Sequence, residues 1–310
     1  SGFIGGRLIE RLRGEGLDVR ALARSDGSAE AVEALGAGPV RGDLDAVDAM
    51  RAGASGCDLF FHAAAKADDW GTREEFERIN VQGTSNALAA AAGAGVRRFV
   101  HVGTEAALMA GQPLVQVNEL TPLRPDSPAL YPSTKARAEQ LVRDFDGVET
   151  VVVRPRFVWG RGDTTLLPVL VEMVRAGKFR WIGGGGQRTS VTHVDNAVEG
   201  LWLGATRGKP GGVYFVTDGE PVVFREFVSD LLRTQGVEPP SGTVPAAVAR
   251  AAAAVLERVS REGRRPTLTR FTVWVSSLEC TIDISRARSE LGYAPVRSLA
   301  DGLDELRAAA

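Results

Sequence analysis

Short apolar runs that alternate with helix-patterned stretches constrain this chain more than any other feature. Ile4, Leu8, Ile9 and Leu12 recur at helical spacing and stop near Gly14 and Gly16, after which residues 17–23 read as a strand. Residues 29–35, 45–51, 72–92 and 131–145 read as helices. Residues 39–41, 58–62, 97–102 and 149–153 read as strands lying between them. The strands are apolar throughout rather than on alternate positions, the pattern of a sheet buried on both faces. Strand and helix in alternation predict an α/β fold, a doubly wound parallel sheet covered by helices. From Arg154 the rhythm changes. Glycine and proline become frequent, the strands at 180–182 and 213–216 are short, and helices at 166–176 and 197–205 intervene. We therefore expect a first unit over residues 1–156, rejoined by a return segment at about 189–217. A smaller substrate-binding lobe is expected within 157–310.

Composition narrows the classes of function. A chain of 310 residues with 44% hydrophobic and 25% charged residues is an ordinary globule with room for a large core. A net charge of -2 gives no electrostatic case for nucleic acid or an anionic membrane as partner. Cys57 and Cys280 are the only cysteines, which supply neither a disulfide framework nor a metal cluster and lean towards a reducing, cytoplasmic setting. The longest apolar stretch, residues 244–256, is too short to span a bilayer, carries Arg250, and reads as an amphipathic core helix.

The chemistry starts from Tyr131-Pro132-Ser133-Thr134-Lys135, which follows a turn-rich run and opens a helical stretch. Four residues apart, the phenol and the ammonium lie on one face of the first turn. A cation there would favour the phenolate, lowering a pKa that is ordinarily about 10, and so make a general acid/base for alcohol or carbonyl chemistry. A buried tyrosine beside a solvated lysine is the plainer alternative. At the N-terminus, Gly2 and Gly5 are spaced like the last two glycines of a dinucleotide-binding loop, with amides at a helix start to hold a pyrophosphate. Where the next strand ends, Ala23-Arg24-Ser25 has no carboxylate for the ribose of NAD. An arginine suits the 2'-phosphate of NADP, so NADP is the preferred cofactor and NAD the other candidate.

These residues resemble the extended short-chain dehydrogenases/reductases, closest to the 3β-hydroxysteroid dehydrogenase and NAD-dependent epimerase/dehydratase branches. The likeness runs through Ser1-Gly2-Phe3-Ile4-Gly5, Gly42-Asp43-Leu44, Phe61-His62-Ala63-Ala64-Ala65 and Asn80-Val81-Gln82-Gly83-Thr84. It continues through the Tyr131 motif, Arg154-Pro155, Trp159-Gly160, His193-Val194-Asp195-Asn196, and Asp283-Ile284-Ser285 leading to Leu291-Gly292-Tyr293. The resemblance implies a Rossmann-type sheet, a family homodimer, Tyr131 as acid/base, and Lys135 as the group that lowers its pKa and holds the nicotinamide ribose. It places Thr104 at the substrate oxygen, Phe3 and Ile4 with Gly2 and Gly5 in the phosphate loop, and Asp43 and Leu44 beside the adenine. Ala63, Ala64 and Ala65 would line the cofactor cleft, and Pro155 with its following loop would close over the nicotinamide.

Departures from the family pattern bear on the substrate. Sugar-nucleotide dehydratases carry an Asp-Glu pair after the threonine, where this chain has Glu105-Ala106; epimerases carry Val-Tyr-Gly nearby, where it has Ala107-Leu108-Met109. Phe157, Trp159, Phe179, Trp181 and Trp274 suggest an apolar pocket. A hydrophobic, steroid-like alcohol or ketone is therefore expected, with a sugar-nucleotide epimerase or a non-catalytic dinucleotide sensor as alternatives.

Three further features are read as non-functional. Gly183–Gly186 is expected to be a flexible turn. His62, His101 and His193 are too scattered to ligate a metal, with His193 structural. Glu105 is read as a surface carboxylate as readily as a catalytic one. Because the chain begins within the glycine motif, it is also expected to behave as a fragment. A version with an upstream strand should melt higher and bind cofactor more tightly.

Overall fold

A computed structural model describes residues 2–260 and 265–309. The chain opens with α1 (Phe3–Gly14), β1 (Arg20–Ala23), α2 (Asp26–Ala34), β2 (Gly38–Arg41), α3 (Val47–Ala54) and β3 (Leu59–His62). The helix expected over 72–92 is one continuous rod in three parts: α4 (Arg73–Phe76), a π-helical turn (Glu77–Gln82) and α5 (Gly83–Gly93). Next come β4 (Arg98–Val102), β5 (Leu114–Val117), α6 (Leu130–Asp144) and β6 (Glu149–Pro155).

The second half comprises β7 (Val158–Trp159), α7 (Leu167–Arg175), β8 (Trp181–Ile182), β9 (Arg188–Thr189), β10 (Thr192–His193), α8 (Val194–Arg207) and β11 (Gly212–Val216). It closes with β12 (Val222–Val223), α9 (Phe224–Thr234), β13 (Thr243–Val244), α10 (Ala246–Val259), α11 (Arg270–Ser277), β14 (Cys280–Ile282) and α12 (Leu299–Ala308).

Four strands form the central parallel sheet in the order β11-β6-β4-β3, with β1 and β2 as a separate parallel pair. Register sets Phe60 beside Phe99, Val100 beside Val151, and Val152 beside Val213. Every residue of β4 and β11 is buried, so both faces exclude water and the chemistry is left to the strand ends. β6 carries Arg154, completely buried, whose Nε donates to Glu139 Oε2 on α6 at 2.8 Å. The same guanidinium lies 5.0 Å from the Phe215 ring centroid, so sheet and helix are tied by a charge that neither could bury alone.

Helix α8 lies close on the sheet because it carries glycine where it crosses. A Cβ at Gly200 would meet Val216 Cγ1 at 2.6 Å, closer than any side chain tolerates.

The five aromatics expected to form a pocket belong instead to the cores. Trp159, Phe179 and Trp181 pack with α9 in the core of the second half, and Trp274 joins the core beneath the central sheet. Their polar atoms are used inside the protein: Trp159 Nε1 donates to Asp218 and Trp181 Nε1 to the Pro240 carbonyl. Bulk made them good core, and proximity in sequence to the site did not make them its wall. The stretch at 244–256 forms most of α10, but only Ala249 and Ala253 are buried while Val248, Val255 and Val259 face outward. Gly183–Gly185 forms a 3₁₀ turn with positive φ at all three glycines, and Gln187 is anchored by donating to the Ser276 carbonyl.

Candidate active site

The site assembles at the carboxyl ends of β3, β4 and β6, where open parallel sheets bind ligands. Thr104 lies two residues beyond β4 and caps a short 3₁₀ turn, its Oγ1 accepting from Ala106 N at 3.2 Å. Tyr131 and Lys135 come from the first turns of α6. Lys135 is buried and its Nζ donates to the Val102 carbonyl at 2.9 Å, with His101 Nε2 at 3.4 Å. The ammonium is thus held against the end of β4, and burial lowers its pKa to about 8 although Glu139 opposes the shift.

The phenol does not meet the environment expected for it. Burial pushes the Tyr131 pKa upward, the nearby Glu105 carboxylate adds to that, and the Thr104 hydroxyl works the other way. The charge acting on the phenol is an anion, because Lys135 has turned its ammonium to the strand end. The ring is covered by Phe271 of α11, edge-on at 5.4 Å between centroids.

Glu105 is buried rather than on the surface. Its Oε2 accepts from Thr104 Oγ1 at 2.9 Å and its Oε1 from Arg156 Nη1 at 2.5 Å. Arg156 is wholly buried, and its Nε and Nη2 both donate to Thr189 Oγ1 at 3.1 and 2.7 Å. The next residue, Phe157, has φ of 44°, a left-handed conformation that is costly for a bulky side chain. Arg156 points inward to Glu105 while Phe157 packs edge-on against Phe224 and Phe227.

Asn80 is a second residue whose role was not read from the chain. Its Oδ1 accepts from Lys66 N at 2.7 Å, and its Nδ2 donates to the Lys66 carbonyl and to Thr134 Oγ1, both at 3.1 Å. It therefore joins the loop after β3 to the turn of α6 between Tyr131 and Lys135. It sits in the π-helical turn, a distortion frequent at functional sites. Only the Asn80–Thr84 likeness could have pointed to it.

Gly2 is the N-cap of α1 with no side-chain cap, followed by Phe3, Ile4 and Gly5 in the first turn. A Cβ at Gly2 or Gly5 would meet nothing within 4 Å, so the unpaired amides of this turn can reach a phosphate. Ala63 is half-buried and Ala64 and Ala65 are exposed in the loop after β3. Asp43 is exposed with its Oδ1 accepting from Asp45 N at 3.0 Å, while the half-buried Leu44 holds Asn86 through its carbonyl. Arg24 is exposed just past β1, and Pro155 is the buried last residue of β6, beside Val216. Bare amides at a helix start, small residues along the loop and an exposed arginine fit a dinucleotide.

His193 does gather carboxylates, with Asp195 Oδ2 3.8 Å and Glu305 Oε2 3.6 Å from its ring nitrogens. Sequence spacing could not show this, since Glu305 arrives from α12. Arg7 and Arg297 already pair with Asp195 at 2.6 and 3.0 Å, so the charge of that carboxylate is met from within the protein.

Fold and site together define an α/β oxidoreductase of the extended short-chain dehydrogenase/reductase class, with a Tyr/Lys pair at the carboxyl end of β4. Within that class the chain belongs to the 3-beta hydroxysteroid dehydrogenase/isomerase family, whose model matches residues 1–246. It is 47% identical over 315 residues to a 4-hydroxy-2-methyl-3-oxo-4-farnesyl-3,4-dihydroquinoline-1-oxide ketoreductase of Stigmatella aurantiaca, covering 100% of this chain and 94% of that one. It is 31% identical over 323 residues to the 3 beta-hydroxysteroid dehydrogenase/Delta 5-->4-isomerase of Mycobacterium tuberculosis (strain ATCC 25618 / H37Rv), covering 98% and 87% of the two chains. Among solved structures, gox2253 superposes with a TM-score of 0.80 at 28% identity, covering 100% of this chain and 96% of that one. The dTDP-glucose 4,6-dehydratase DesIV double mutant of Streptomyces venezuelae, at 24% identity and TM-score 0.75, covers 99% of this chain and 93% of its own, and shares the fold.

Proposed function

We propose that this protein interconverts a secondary alcohol and a ketone on a hydrophobic substrate, using a nicotinamide dinucleotide, with NADP preferred. The observation that carries the reading is the convergence of Thr104, Tyr131 and Lys135 at the end of β4. In reduction the Tyr131 phenol gives its proton to the carbonyl oxygen as that oxygen gains negative charge; in oxidation the phenolate takes the hydroxyl proton. Bound dinucleotide supplies or accepts the hydride. The phosphate loop at Gly2–Gly5, Asp43, Leu44 and Ala63–Ala65 would hold it, Lys135 and Pro155 would border its nicotinamide end, and Arg24 would meet a 2'-phosphate. In this reading residues 1–156 with the return segment serve the cofactor, and the rest of 157–310 shapes the substrate side.

The relatives support an apolar substrate, since their names describe a farnesylated quinoline oxide and steroids. Glu105 is engaged in an ion pair with Arg156 and is not a free base of the kind a dehydratase needs. A cytoplasmic, dimeric enzyme remains our expectation; among the described residues no helix is long and apolar enough to cross a membrane.

Tyr131→Phe tests the assignment. Removing the proton donor should lower kcat at least about a hundredfold while dinucleotide binding is kept, because proton transfer of this kind contributes roughly 10²–10⁴-fold. Full turnover by that variant would defeat the reading.

A further inference from the structure

The aromatics named from the sequence fill cores, but Phe271 does not. It is half-buried on the first turn of α11, edge-on to the Tyr131 ring at 5.4 Å with 61° between the planes. Trp274 follows one turn later on the same helix face. It packs on the loop beyond the Thr104 turn, where a Cβ at Gly111 would lie 3.3 Å from the indole. One face of α11 therefore covers both the acid/base and the chain that follows Thr104.

This helix is only eight residues long and is held from outside. Asp69 Oδ2 accepts from Thr269 Oγ1 at 2.9 Å and from Thr272 Oγ1 at 2.7 Å, 200 and 203 residues away. Arg265 Nη2 lies 2.7 Å from the other oxygen, and the carboxylate is only 11% exposed. A negative charge is favourable at a helix start, and two converging hydroxyl bonds leave this one a single place to sit. Asp69 belongs to the loop after β3, whose Lys66 backbone is clasped by Asn80. The loop is thus anchored at one end to the π-helical turn and at the other to α11.

We propose that Phe271 is a specificity-determining residue, an aromatic wall on which the ring of a cyclic ketone lies while its oxygen meets Tyr131, and that Asp69 is the positioning residue that sets this wall. The inference rests on the alcohol/ketone reading above. A carbonyl oxygen bound to the phenol carries its neighbouring carbons into the space beside Phe271. A ring gains there from offset or edge-on contact with a second ring, whereas a flexible chain gains less and loses more rotamer freedom.

Phe271→Leu is the direct test, because leucine stays apolar while the ring is removed. With NADPH, kcat/KM is measured for β-tetralone and for methyl hexyl ketone, a cyclic and an open-chain probe. Their ratio should fall about three- to tenfold, the worth of one aromatic contact. The fall should come from a higher KM for the tetralone with kcat nearly kept. Asp69→Ala should lower the ratio in the same way, and Asp69→Asn should restore it, since the amide oxygen still accepts from both hydroxyls. A merely structural Asp69 would lower the melting temperature and weaken both ketones together, with the ratio unmoved. That result, or an unchanged ratio in Phe271→Leu, overturns the proposal. So does a parent that fails to reduce the tetralone or prefers the open chain. Should Asp69→Ala not fold, Thr272→Val removes one of the two donors at an exposed position, and the same fall in ratio is expected. Tyr131→Phe keeps the two failures apart. If it retains turnover, the alcohol/ketone reading falls first; if it is inactive and the ratios stay fixed, only the roles of Phe271 and Asp69 fall.

Discussion

At the residue scale, side chains are set by what their neighbours leave unsatisfied. Lys135 illustrates this: the end of β4 offers the Val102 carbonyl, and the ammonium takes it at 2.9 Å. The pair spacing of Tyr131 and Lys135 was legible in the sequence, but the direction of the ammonium was not. Arg24 is the residue that decides cofactor preference in our reading. Arg24→Ala should weaken NADPH binding by about tenfold or more, the range for a charge-assisted contact of about 1.5–3 kcal/mol, and leave NADH nearly unchanged. Fluorescence titration with both dinucleotides checks it, and equal losses for the two would remove Arg24 from the 2'-phosphate.

At the element scale, the ends of β3 and β4 place His62 and His101 with ring centroids 5.4 Å apart, both buried. Thr84 Oγ1 gives its hydrogen to the Asn80 carbonyl, so it accepts from His62 Nε2, which makes His62 a neutral Nε2–H tautomer. Burial first, and then Lys135, lowers the His62 pKa to about 3. The folded protein therefore binds fewer protons than the unfolded chain between pH 3 and about 6.5. The stability this residue contributes is complete above pH 6.5 and is lost as pH falls through that window. Relative to His62→Gln, whose amide still donates to Thr84, the parent should lose on the order of 1 kcal/mol per pH unit between pH 6.5 and 5. Urea unfolding across that range checks it; a constant difference between the two proteins would show that His62 protonates freely when folded. The same strands show what apolar patterning can reveal. It located β3, β4 and β6 because burial on both faces leaves a continuous apolar run, and it missed the π-helical turn because one extra residue in a helix leaves no such trace.

At the scale of the whole molecule, distant segments are closed on one another by Asp195. It opens α8, accepts from Arg7 of α1, and accepts from Arg297 just ahead of α12. Its pKa is held down by Arg7 and Arg297 against the effect of burial. Asp195→Asn should cost about 1–3 kcal/mol and lower the melting temperature, because one of the two guanidinium groups loses its acceptor oxygen and both lose the negative charge. Protection of α1 and α12 amides should fall together in hydrogen exchange, and loss confined to one helix would show that the clamp does not couple them. The residues that complete the active site arrive in the same way. Phe271 comes from α11, and Arg156, just past the end of β6, reaches Glu105 across 51 residues of sequence.

What the sequence determined by itself was the layered α/β plan and the placing of Tyr131 and Lys135 four residues apart on one helix, which follow from hydrophobic periodicity and from spacing along one element. Thr104 was legible only through the family resemblance. The tertiary structure decided the electrostatics: which charge faces the phenol, where the Thr104 hydrogen points, and whether the aromatics wall a pocket or fill a core. Those outcomes depend on desolvation and on partners far along the chain, and both come into being only when the sheet closes.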